Sequence, residues 1–203
     1  LVGYLEAIEN GLVTGPEKDE YIHVAVEKAH RLKQFVVSLF EWVKLDAGEQ
    51  VYHFGVFDLN EITRNSIAEW VPMLEAAGVE YEIEIPETEY PVRLDPNAYT
   101  RVLNNLLQNM LAHSSASHVW LRVTEGEKEA QIEVTDNGKG VSPDDLPHLF
   151  ERMYQCDHSR AGGGNGLGLS IAKELISAHN GTIKAQSTPG QGMTFTVLLP
   201  KAL

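Results

Sequence analysis

Four short motifs in this chain could do chemistry, and they arrive in a fixed order within about ninety residues. Asn105 and Asn109 come first, four apart on a stretch with helical periodicity, so both amides share one helix face. An amide oxygen is a suitable hard ligand for Mg²⁺, which takes few protein ligands and keeps several waters. Next is Asp136-Asn137-Gly138-Lys139-Gly140, at the end of an alternating strand pattern. A carboxylate there can accept a hydrogen bond from the exocyclic amine of a base. Gly138 and Gly140 offer no side chain to obstruct a close approach. Then Gly162–Ser170, with glycines at 162, 163, 164, 166 and 168, leads into an apolar helix. A glycine-rich entry to a helix N-terminus is a natural phosphate site. Last is Thr188-Pro189-Gly190-Gln191-Gly192. Singly, each has an ordinary explanation: a solvated helix face, an Asp-Asn-Gly turn, a surface loop. Together they describe a nucleotide pocket. It is neither of two better-known kinds. GxxxxGK[ST] is absent, and the Gly164-x-Gly166-x-Gly168 spacing follows a long loop rather than a strand, unlike a dinucleotide-binding turn.

The elements that must hold these residues fall in two halves. Residues 17–47 contain no glycine or proline. Ile22, Ala25, Ala29, Leu32, Val36, Leu39 and Val43 step by alternating threes and fours, which is a heptad seam. Phe35, Phe40 and Trp42 widen it, so a helical bundle is expected. Asn10–Pro16 reads as a turn and Leu1–Glu9 as a short first arm. At 1.5 Å per residue the second arm is about 46 Å long, and an antiparallel partner of that length requires about 20 further residues before Leu1. From residue 49 the pattern is α+β. Strands are expected at 56–59, 79–85, 92–94, 118–124, 129–136, 182–187 and 193–199. Helices are expected at 60–77, 96–113 (with Asp95 as N-cap), near 144–150, and 166–179.

Bulk properties narrow the partners. Of 203 residues, 43% are hydrophobic and 22% charged, ordinary for a globular chain. The formal net charge is −13, from 29 acidic and 16 basic residues. That argues against a nucleic-acid or anionic-membrane partner, which needs a basic face. A single cysteine, Cys156, excludes an intrachain disulfide and fits a reducing cytoplasm. No apolar run reaches the roughly 18 residues a bilayer span requires.

The motifs and their order resemble the catalytic core of a bacterial two-component sensor histidine kinase. Asn105–His113 is similar to that family's N box, and Asp136–Gly140 to its G1 box. Leu149–Tyr154 resembles its F box, Gly164–Leu169 its G2 box, and Thr188–Phe195 its closing glycine motif. Leu1–Glu6 is similar to the stretch just after the phosphoacceptor motif. The resemblance implies a Bergerat-type (GHKL) α/β sandwich, residues 49–203, preceded by residues 1–48 of a helical hairpin that forms a dimeric four-helix bundle. It implies ATP and Mg²⁺ as cofactors, with Asn109 on the metal and Asp136 reading the adenine amine. His113, Gly138, Gly140, Tyr154, Gly164, Gly166, Leu167, Gly168 and Thr194 would shape the nucleotide site. Residues from about 150 to 165 would form the ATP lid. The partners implied are a second copy through the hairpin and a response-regulator receiver domain. The protein would be cytoplasmic, within a membrane-anchored sensor.

Three departures matter. The family's phosphoacceptor histidine falls before Leu1, and none of the eight histidines present replaces it. Outside His113, a surface role is expected for them. Ala112 stands where the family commonly has Lys or Arg, so Arg152 or Arg160 is expected to supply charge to the phosphates. Asn105 stands where ATP-hydrolysing relatives carry a glutamate base. An amide cannot take a proton from water, which favours transfer to a protein side chain. Two alternatives remain at this stage: a degenerate docking module that only dimerises, and a GHKL ATPase or serine kinase.

Overall fold

The computed structural model describes residues 1–156 and 166–202, in two compact units, Leu1–Ala47 and Gly48–Leu203. The first unit is a helical hairpin of unequal arms, α1 (Val2–Glu9) and α2 (Pro16–Asp46). Gly11 and Gly15, both at positive φ, make the turn between them. Pro16 starts α2, with Glu17 and Asp19 in its first turn and Lys44 in its last, matching the helix dipole. Tyr4 meets Tyr21 edge-on at 5.0 Å. Most of the heptad seam is uncovered in the single chain: Ile22, Leu32, Val36 and Val43 are all exposed, and Ala25 is buried.

The second unit is an α+β sandwich. Its elements run β1 (Gly55–Asp58), α3 (Leu59–Ala68), α4 (Val71–Ala76), β2 (Glu80–Glu84), β3 (Pro91–Leu94), α5 (Pro96–His113), β4 (His118–Glu125), β5 (Glu129–Asp136), α6 (Gly168–Ala178), β6 (Thr182–Ser187) and β7 (Met193–Pro200). Five strands form a mixed sheet in the order β2-β4-β5-β7-β6, while β1 and β3 pair separately. Alternation puts Ile132, Val134, Phe195 and Val197 on the buried face. Leu103, Leu106, Leu107 and Met110 of α5, and Ile171, Leu175 and Ile176 of α6, complete the core. The opposite face of these strands is half-exposed.

One expected helix is two. The 60–77 pattern breaks after Ala68, because Pro72 lacks an N–H and its ring collides with the carbonyl four residues back. A polar seam joins the first piece to α5. Thr63 bonds Tyr99 at 2.8 Å, Ser66 bonds Thr100 at 2.8 Å, and the Trp70 indole N–H donates to Asn104 Oδ1 at 2.6 Å. The helix expected near 144–150 is a single 3₁₀ turn, Leu146–His148.

Candidate nucleotide-binding site

The site begins on α5. Asp95 caps this helix, its Oδ1 accepting from the N–H groups of Asn97 and Ala98. The apolar face buries against the sheet, which leaves Asn105, Asn109 and His113 half-buried along one side. Asn105 meets the start of α6: a Cβ on Gly168 would sit 3.5 Å from its Oδ1. Its Nδ2 is buried with no partner among the described residues. A buried amide donor left unbonded costs free energy, so it fits a ligand acceptor such as a phosphate oxygen. Burial lowers the pKa of His113, and the Lys139 ammonium lowers it further, so the ring is neutral at physiological pH.

Asp136 closes β5 on the buried face, 2% exposed. Its Oδ1 accepts from Gly138 N–H at 2.7 Å. Burial raises its pKa above the ordinary carboxylate value, while the N–H groups of Gly138 and Met193 pull the other way. The turn beyond is fixed by backbone crossings. A Cβ on Gly138 would lie 2.2 Å from Ser114 O, and one on Gly140 2.4 Å from Thr188 O. The space these glycines vacate is thus filled by the protein's own backbone. Lys139 N–H donates to Ser114 O at 2.8 Å, and Gly190 N–H donates to Lys139 O at 2.7 Å. Ser187 Oγ accepts from Val141 N–H and donates to Gly192 O. The closing glycine motif is therefore a clamp on the 136–140 turn.

Helix α6 starts at Gly168, two residues later than the pattern predicts. Leu167 is its fully buried N-cap, which offers no side-chain cap, and the first turn carries no acidic residue. Such an end turns backbone N–H groups and the positive end of the helix dipole toward an anion. Gly166 has φ +65, and a Cβ there would collide with Met153 and Tyr154 backbone atoms at 2.7 Å. Met153 N–H donates to Gly166 O at 3.0 Å, tying residue 153 to the helix entry. The Tyr154 hydroxyl donates to Asp145 Oδ1 at 2.6 Å, and its ring lies 5.4 Å from His148. Gly164 and Arg160 lie outside the described residues, as do residues 157–165 of the expected lid. Arg152 is exposed.

Thr194 requires a correction. Residues alternate across β7, so Met193 opposes Asp136 on the buried face, whereas Thr194 points to the other face and bonds Thr135 Oγ1 at 3.0 Å. Met193, Ser114 and Ser187 are the neighbours that sequence reasoning missed. Their signal is pairing register and backbone crossing, which no local motif encodes. Of the histidines expected at the surface, His179 is corrected, while His118 stays on the half-exposed face of β4. His179 is 3% exposed and bonded at both ring nitrogens. His118 stacks on Trp120 at 4.1 Å between Glu80 and Glu82.

No group of three or more His, Cys, Asp or Glu gathers to hold a metal among the described residues. Asn109, with phosphate oxygens, is a donor set that suits a hard, water-retaining cation.

Comparison with known proteins identifies the family and the fold. Residues 94–203 match the family model of histidine kinase-, DNA gyrase B- and HSP90-like ATPases. The chain is 30% identical over 205 residues to the sensor histidine kinase YcbM of Bacillus subtilis, covering 99% of this chain and 66% of that relative. Of other curated relatives it spans about half the length. Acinetobacter baumannii histidine kinase AdeS shares the fold at TM-score 0.79 and 20% identity, over 99% of this chain and 93% of that one. Histidine kinase ThkA, solved in complex with response regulator protein TrrA, also gives TM-score 0.79, at 21% identity, over 98% of this chain and 56% of that one. Matched by the family model over more than half of its length, the chain belongs to the histidine kinase-, DNA gyrase B- and HSP90-like ATPases.

Proposed function

We propose that this chain binds ATP with Mg²⁺ and donates the γ-phosphoryl to a histidine, for relay to an aspartate of a response regulator. The observation that carries the reading is Asp136. It is a buried carboxylate at a strand end, with one oxygen held by Gly138 N–H, and so an acceptor placed for an adenine amine. Asn105 and the uncapped start of α6 face the phosphate end. Asn109 would hold Mg²⁺, which neutralises phosphate charge when bound. His113, neutral and half-buried, would flank the nucleotide. The chain's own residues do positioning rather than covalent chemistry. An amide at 105 favours transfer over hydrolysis, because no base is present there to activate water.

The open apolar seam of α2 supports pairing with a second copy, which would bury Ile22, Leu32, Val36 and Val43. The TrrA complex of ThkA supports a receiver-domain partner. No described helix is long and apolar enough to cross a membrane. On this reading the domain works in the cytoplasm, where ATP is available, as the inner part of a membrane-anchored sensor.

Calorimetric titration of ATP, with and without Mg²⁺, tests the reading on the wild type and Asn109→Ala. We expect the metal to strengthen wild-type binding by about tenfold or more, the scale of one charge-assisted contact. Asn109→Ala should lose that gain while its circular dichroism stays unchanged. A wild type that ignores ATP, or a variant that keeps the Mg²⁺ effect, overturns it.

A further inference from the structure

Away from the nucleotide site, three distant stretches of the second unit meet at His179. It follows the last turn of α6 as that helix's C-cap. Its Nδ1 donates to Leu175 O at 2.6 Å, and its Nε2 accepts from the backbone N–H of Asp95 at 3.0 Å. Donor on one side and acceptor on the other, the ring joins the carbonyl end of α6 to the N-cap of α5. Asp95 uses Oδ1 to cap its own helix, and its Oδ2 accepts from His53 N–H at 2.7 Å. Burial works against ionisation of Asp95, yet the N–H groups of His53, Ala98 and Asn97 hold its carboxyl below the ordinary range. The rings of Phe54 and Tyr52 stand edge-on to the imidazole at 5.0 and 6.1 Å, and stack on each other at 5.3 Å. The Arg93 guanidinium covers Phe54 at 4.9 Å.

We propose that His179 is a positioning residue that docks residues 52–54, the stretch leading out of the hairpin unit, onto the far end of the α5–α6 pair. Two consequences follow. First, α5 and α6 carry Asn105, Asn109 and Gly168, so docking of the linker and alignment of the phosphate end share one helix pair. Asp95 and Asn105 are about 15 Å apart along α5. Second, docking shortens the leash. The segment between Ala47 and the docked residues is Gly48–Val51, about 14 Å when fully extended, and undocking 52–54 adds about 10 Å. In a kinase of the kind proposed above, on which this clause rests, that reach governs whether bound ATP arrives at a histidine on the hairpin.

The test uses the whole 203-residue chain carrying Cys156→Ser, as wild type, Tyr52→Ala/Phe54→Ala, His179→Leu and His179→Gln. Three quantities are read: hydrogen exchange at the His53 amide, ATP affinity, and the distance distribution between spin labels at exposed Lys33 and Lys184. A lost bond to a carboxylate speeds exchange about tenfold or more. The aromatic double variant and His179→Leu should show that acceleration and a broadened distribution. His179→Gln keeps an acceptor for Asp95 N–H, so it should stay within about threefold of wild type, a rescue that packing alone would not produce. The double variant touches no nucleotide-site residue and should bind ATP within about twofold of wild type. Unchanged His53 exchange in the double variant overturns the proposal, even if His179→Leu fails to fold. So does a Gln variant as impaired as Leu. A wild type that binds no ATP removes the proposed function instead, and leaves both docking readouts standing.

Discussion

Replacing Asp136 by asparagine separates what this carboxylate does for ligand from what it does for the fold. The side chain is 2% exposed, so solvent does little to screen its contacts. Asparagine keeps an oxygen for Gly138 N–H but presents an NH₂ where the second carboxylate oxygen stood. Toward ATP, an acceptor facing the adenine amine becomes a donor facing a donor. Losing a hydrogen bond to a charged group costs about 1.5–3 kcal/mol, or about 10- to 150-fold in Kd. Inosine triphosphate carries an acceptor at that position, so its affinity should rise in the variant, and the preference for ATP over it should collapse. Stability moves the other way. Because burial raises the Asp136 pKa, the folded chain takes up its proton at higher pH than the unfolded chain does. The ionised group therefore costs stability at neutral pH, a cost relieved as pH falls through the window above 3.8. Asp136→Asn should be at least as stable as wild type at pH 7, with the difference shrinking toward acid. Wild-type ATP affinity should weaken through the same window, since the amine needs the ionised form, while the variant's should not. Isothermal titration with both nucleotides and urea unfolding across pH would measure these effects. An Asp136→Asn variant that binds ATP within about twofold of wild type, with the same nucleotide preference, refutes the adenine-reading role.

Gly192 has φ +87, and an added Cβ would lie 1.8 Å from Asp136 O, whereas Gly190 has φ +76 and open space. Gly190→Ala should cost only the left-handed strain of about 1–2 kcal/mol, and Gly192→Ala clearly more, with Tm falling about 2–4 °C per kcal/mol in calorimetry. Trp70→Phe removes the indole bond to Asn104 and should cost about 1–3 kcal/mol in denaturant unfolding. The double variant with Asn104→Ala should cost less than the sum of the two single changes.

The positions legible in the sequence are those whose reason is local. Asp136 shows itself by strand alternation ending in a turn dipeptide, and Asp95 by a capping residue before a proline and a helical period. The amides at 105 and 109 follow from helical spacing alone. What escaped depends on partners far along the chain. Gly138 needs to be glycine because Ser114 crosses it, and Gly192 because Asp136 does, so glycines that suggest room for a ligand are first of all room for backbone. Thr194 lies in the right motif but on the wrong face, and only the β5–β7 register, with Asp136 opposite Met193, reveals the parity. His179 bonds a residue 84 positions away, and nothing near it in sequence distinguishes it from an exposed histidine after a helix. Pro72 is the exception: its effect is local, but a single apolar period running through it hides the break. A motif therefore identifies the side chain that meets a ligand more readily than the contacts that hold it there. Those contacts are backbone crossings and register, and they are where substitutions far from the pocket should alter nucleotide binding.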